Sequence, residues 1–98
     1  MAKYHLEWTI VESRMPNDPK EIAQGWKMLI GLVNQDLKGG ALKDCGAYPG
    51  DRGGYSVFES NETDLMMFTM KYAPFVNFET KPVATANQVA EFLTAATR

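Results

Sequence analysis

One cysteine, Cys45, and one histidine, His5, occur in the 98 residues. A lone thiol cannot close an intramolecular disulfide, and one residue of each kind cannot build a Cys/His zinc site. A metal-free, cofactor-free chain in the cytoplasm is the expectation. Long apolar runs are missing too: nothing approaches the ~20 residues of a membrane span, so no membrane partner is expected. The opening MAKYHLEWTI, broken by His5 and Glu7, lacks the apolar region of a signal peptide and is expected to belong to the mature fold. Charge of one sign is not in excess. Ten basic and twelve acidic residues leave a net charge of -2, which argues against a phosphate-binding surface and against nucleic acid as a partner.

What is present is one domain's worth of core material. With 45% hydrophobic and 22% charged residues, the chain has the composition of an ordinary soluble domain spanning residues 1–98. A chain of this length buries roughly 60 to 65% of its unfolded surface, so most apolar positions must serve a single core. From Lys3 to Glu12 the residues alternate, with Tyr4, Leu6, Trp8 and Ile10 on one face and His5, Glu7, Thr9 and Val11 on the other, which predicts a strand. Asp18, Pro19 and Glu21 have the spacing of a capping box, so a helix is expected to begin there. Its stripe is Ile22, Trp26, Leu29, Ile30, Val33 and Leu37, and Gly39-Gly40 should end it.

Ala41–Tyr48 and Tyr55–Glu59 form a predicted hairpin around Pro49-Gly50-Asp51, with Gly53 and Gly54 as hairpin glycines. Ser60 or Asn61 caps a second helix with the stripe Leu65, Phe68 and Tyr72, surrounded by Met66, Met67 and Met70. Pro74 ends it. The stretch Lys71–Val83, KYAPFVNFETKPV, reads as a strand with Phe75, Asn77, Glu79 and Lys81 on one side and Val76, Phe78 and Thr80 on the other. Pro82 places it at a sheet edge, because a central strand needs that N–H. A last helix, capped by Thr85 or Asn87, carries Val89, Phe92, Leu93 and Ala96 on one side. The order predicts an α+β, ferredoxin-like βαββαβ fold, with an antiparallel sheet ordered 4-1-3-2 and an extra C-terminal helix.

Trp8-Thr9, Gly46-Ala47-Tyr48, the GGYSVFE segment and above all YAPFVNFETKPV resemble the DUF3303-type domains of the dimeric α/β-barrel superfamily. The first helical region is longer than in such domains, and Tyr48 stands where a tryptophan is expected. The resemblance implies a homodimer paired sheet to sheet around an interior pocket. It carries no activity, since the superfamily spans cofactor-free monooxygenases, lactone isomerases and dye- or haem-processing enzymes.

The residues lead to the same surface by another route. Two helices should cover the face of Tyr4, Leu6, Trp8 and Ile10, leaving His5, Glu7, Thr9, Asn77, Glu79 and Lys81 on the other. With Val11, Phe75 and, in one parity of their strand, Tyr55 and Val57 also on it, that face is too polar for a core and too apolar to stay bare, so a second copy over it would enclose a pocket for a small organic ligand. His5, Glu7, Thr9, Tyr55, Asn77 and Glu79 are the candidate ligand-binding residues, with either Tyr55 and Val57 or Ser56 and Phe58 of their strand turned toward the pocket. His5 is the side chain suited to proton transfer near neutral pH, and Glu7 is the carboxylate beside it. These two would handle protons in a cofactor-independent monooxygenase- or isomerase-like enzyme, with Tyr55 and Asn77 positioning substrate. In the competing reading the oligomer does no chemistry, His5 is an ordinary interface residue, and Glu7, Glu79 and Lys81 form a charge network. Arg14 and Arg52 could reach an anionic ligand but equally read as solvated loop charges.

Overall fold

The computed structural model describes residues 2–14 and 16–98. In chain order it contains β1 (Ala2–Ile10), a 3-10 turn (Glu12–Arg14), α1 (Pro19–Gly39), β2 (Leu42–Ala47), β3 (Gly53–Ser60), α2 (Glu62–Tyr72), β4 (Val76–Val83) and α3 (Ala86–Ala96). The strands form one antiparallel sheet with the order β2-β3-β1-β4. This α+β arrangement is compatible with a ferredoxin-like fold.

Alternation in β1 decides which face is which. Tyr4, Leu6 and Ile10 are 8%, 0% and 5% exposed, and they meet Leu29 of α1 and Leu65, Phe68 and Tyr72 of α2 in one core. Phe68 is the hub of that core: its ring lies 5.1 Å from Phe58, 5.3 Å from Tyr72 and 5.8 Å from Phe78, in tilted and edge-on arrangements that aromatic quadrupoles favour. Tyr72 adds a polar tie, donating from its hydroxyl to Asp36 of α1 at 2.7 Å, while Lys71 pairs with the other oxygen of the same carboxylate. Burial, and then this hydrogen bond, raise the Tyr72 phenol far above its ordinary pKa, so it remains a donor.

Several local expectations change. Asp18 occupies the N-cap of α1, but its side chain accepts no capping hydrogen bond, so the box suggested by its spacing does not form. Asn61 caps α2 by accepting from the Asp64 N–H, while Ser60 donates to the Asp64 carboxylate. Thr85 and Gln88 make the reciprocal box at α3. Gly40 ends α1 in the left-handed region at φ 92°, where a Cβ would be strained. On α1, Ile30 and Leu37 are exposed at 51% and 36%. At ~100° per residue they fall on one flank of the stripe, roughly 80 to 100° from the buried Leu29. The stretch Lys71–Val83 is divided: Lys71 and Tyr72 close α2, and only Val76–Val83 is strand. Phe75, expected beside Asn77, instead packs against the core.

Gly53 and Gly54 belong to β3 rather than to the hairpin loop, and both are buried opposite Thr9 and Trp8. A Cβ on Gly54 would collide with the carbonyl oxygen of Gly46 and would lie 2.5 Å from the Trp8 indole. The indole lies over this gap and donates from Nε1 to the Tyr55 carbonyl at 3.1 Å. On the opposite face, a Cβ on Gly46 would lie 2.6 Å from the Tyr55 ring.

Two predictions follow from these contacts. Tyr72→Phe should cost about 1.5 to 3 kcal/mol in denaturant unfolding, because it leaves the Asp36 carboxylate short of a donor. Gly54→Ala should cost about 3 kcal/mol or more because backbone blocks the new methyl, whereas Gly46→Ala should cost less because the Tyr55 ring can swing aside. Equal losses at the two glycines would contradict this account.

Candidate functional site

Register places the candidate residues together. His5 lies opposite Val57 and Lys81, Glu7 opposite Tyr55 and Glu79, and Thr9 opposite Asn77. Directly opposed antiparallel residues share a face, so His5, Glu7, Thr9, Tyr55, Asn77 and Glu79 all lie on the side of the sheet away from α1 and α2. This resolves the parity of β3: Tyr55 and Val57 face outward, while Ser56 and Phe58 are buried under the helices.

The central part of this face is an ordered row of rings. His5 and Tyr55 lie parallel, 6.4 Å apart with 5° between their planes, and Tyr55 and Tyr48 are 6.4 Å apart at 26°. Two carboxylates hold the row. Tyr48 donates to the Glu7 carboxylate at 2.9 Å and 3.2 Å, and Tyr55 donates to Asp44 at 2.8 Å. The hydrogen bond to Glu7, then partial desolvation, raises the Tyr48 phenol above its ordinary pKa; the bond to Asp44 does the same for Tyr55. Both phenols are therefore neutral donors at physiological pH.

Tyr48 and Asp44 were missing from the residue-based site. They join it because β2 shifts register between Leu42 and Asp44. Unbroken alternation from the buried Leu42 would turn Asp44 and Tyr48 under the helices. The irregularity turns Asp44, Gly46 and Tyr48 outward instead and leaves Cys45 opposite the buried Ser56. The Pro49-Gly50 turn immediately after Tyr48 was the available signal, since it anchors a strand end whose parity can be counted backwards.

In the competing, non-catalytic reading Glu7 pairs with Lys81 or another base; among the described residues no such ion pair forms. Glu7 accepts from Tyr48, and its partner across β4 is another carboxylate, Glu79. Like charges directly opposed on a sheet are unfavourable. The face thus presents a pair of acceptors for a hydrogen-bond donor or a positive group. Arg52 pairs with Glu12 at 3.2 Å, both well exposed, and is a solvated loop charge. Among the described residues, no cluster of His, Cys, Asp or Glu side chains could hold a metal ion, and no helix is long and apolar enough to cross a membrane.

A second feature lies on the helix side. Between α1 and the sheet is a narrow cleft with a cavity volume of about 40 Å³, lined by Trp8, Trp26, Ile30, Val33, Cys45 and Phe78 among others. Trp8 and Trp26 meet edge to face across it at 6.1 Å. Its polar wall is confined to the Ser56 hydroxyl, 3.4 Å from the half-buried Cys45 sulfur, and the Tyr72 side of α2.

A family model described as a domain of unknown function (DUF3303) matches residues 2–97. No curated protein matches the chain.

Because both phenol pKa values are raised, Tyr48 and Tyr55 should ionise above pH 10.0, the ordinary value, in a phenolate absorbance titration. The sign follows from linkage: a raised folded-state pKa contributes stability that is complete below the unfolded value and is lost as pH rises through the folded one. Tyr48→Phe should remove its own high-pH transition and leave Glu7 without its donor.

Proposed function

The chain belongs to the DUF3303 family, and we propose that it acts as a homodimer of the dimeric α/β-barrel type that binds a small organic molecule between its sheets. The observation carrying this reading is the uncovered sheet face, on which the His5–Tyr55–Tyr48 ring row is held by Glu7 and Asp44. Ordering several side chains on a face left to water costs conformational entropy. A second copy would convert the face into an enclosed, mixed surface of the kind that binds small ligands. A planar molecule would stack on the rings, and a donor group on it would satisfy the opposed Glu7 and Glu79.

The enzyme alternative uses the same face. His5 would take or return a proton, with Glu7 beside it along β1, while the single hydroxyl protons of Tyr48 and Tyr55 stay committed to Glu7 and Asp44. This is the chemistry of a cofactor-independent isomerase or monooxygenase, with Asn77 and Thr9 left to orient substrate. A second reading of ligand location rests on the apolar lining of the narrow cleft beneath α1, which would have to open to admit a small apolar molecule.

Light scattering at micromolar concentration should give the mass of a dimer; a monomer would remove the sheet-face pocket. The two locations separate on an anilinonaphthalene sulfonate titration, with the dye as an apolar probe. Loss of binding in Tyr48→Ala with Val33→Trp unaffected supports the sheet face. The reverse pattern places the ligand in the cleft.

A further inference from the structure

The C-terminal helix is out of keeping with the rest of the chain. Every residue from Ala86 to Arg98 is exposed, although Val89, Phe92 and Leu93 form an apolar stripe and are 43%, 66% and 52% exposed. The molecule measures 61 × 26 × 18 Å with a radius of gyration of 16.2 Å. A compact chain of this length would have a radius near 13 Å. α3 is nevertheless sharply begun, by a complete Thr85–Gln88 capping box. An isolated helix of 11 residues is marginal in water, and a cap alone does not make it stable. Its apolar stripe therefore needs a cover that its own protomer does not provide.

We infer that α3 is an exchanged arm: its Val89, Phe92 and Leu93 stripe packs on a second copy of this chain, against Met66, Met67 and Met70 of the partner subunit. This rests on the homodimer reading above and adds what holds the dimer together. In the single chain Met66, Met67 and Met70 are 68%, 64% and 74% exposed, the most exposed row of large apolar side chains on the body of the protein. They project from one side of α2 while Leu65, Phe68 and Tyr72 are buried on the other. Flexible thioethers adapt to a bulky aromatic, which makes such a row a suitable receiver for Phe92.

Area favours a second copy as the occupant. The stripe exposes on the order of 300 Å² per protomer, so two reciprocal arms and their receiving surfaces bury roughly 1,000 to 1,200 Å². That is the lower limit for a specific interface, and the paired sheet faces add the remainder. The need is mutual: the sheet face is rich in carboxylates and poor in apolar side chains, whereas the centre of a stable interface is depleted in charge. The arms add apolar contact beyond that face, on the helix side of the partner.

The test measures dimer dissociation by light scattering and analytical ultracentrifugation on full-length protein, with circular dichroism as a check of folding. Phe92→Asp alters a residue exposed in the protomer and should leave the fold intact while weakening the dimer about tenfold or more. Met67→Glu, on the receiving side, should do the same. Val57→Asp, at the centre of the sheet face, reports the homodimer reading separately. A dimer weakened by Val57→Asp but indifferent to Phe92→Asp overturns the arm and leaves the sheet-face reading standing. A dimer weakened by Phe92→Asp but not by Met67→Glu overturns the proposed receiving surface. A wild-type monomer overturns both readings.

Discussion

The interlock of Trp8 with Gly54, and of Tyr55 with Gly46, sets the register on which the rest of the sheet depends. Two glycines on neighbouring strands leave gaps on opposite faces, and each gap is covered by an aromatic ring. The Trp8 indole also hydrogen-bonds the Tyr55 carbonyl, so one side chain joins β1 to β3 through packing and polarity together. A slip of one residue would remove both ring contacts and turn every buried residue of β1 to the outside. Once this register is held, Tyr4, Leu6 and Ile10 must meet α1 and α2, and His5, Glu7 and Thr9 must meet whatever lies on the other side.

The two faces then diverge chemically. Under the helices, the Phe68 hub and the Asp36–Tyr72 tie make a conventional core beside a narrow apolar cleft between α1 and the sheet. On the outer face, the same strands present rings and carboxylates in a fixed geometry, with each phenol held neutral by the carboxylate that accepts from it. Tyr55 belongs to both systems: its ring covers Gly46 and its hydroxyl engages Asp44. Structural and potential chemical roles therefore share one side chain, and a substitution there would not separate them.

The parts least satisfied within the single chain are all apolar and all at its periphery: the methionine row of α2, the flank of α1 at Ile30, and α3. Their helices are well terminated, by Asn61 in α2 and by the Thr85–Gln88 box in α3. Local sequence thus specifies helices whose burial the protomer leaves incomplete. The proposed dimer would cover both, the sheet face by pairing and the apolar periphery by the exchanged arms.

Local pattern alone determined much of this protein. Strict alternation over Tyr4–Ile10, the three- and four-residue spacing of Leu65, Phe68 and Tyr72, and the narrowing of two caps to Ser60 or Asn61 and to Thr85 or Asn87 were readable because each depends on near neighbours. So was the grouping of His5, Glu7, Thr9, Asn77 and Glu79, which needs only strand parity and an antiparallel pairing. Tertiary structure decided the remainder. The irregularity between Leu42 and Asp44 brought Tyr48 and Asp44 to the outer face, and pairing with β1 drew Gly53 and Gly54 into β3. Glu7 met Glu79 and Tyr48 instead of Lys81 for the same reason. Periodicity records which residues share a face, but register across strands is a contest among distant contacts, and its outcome appears only when the chain is folded.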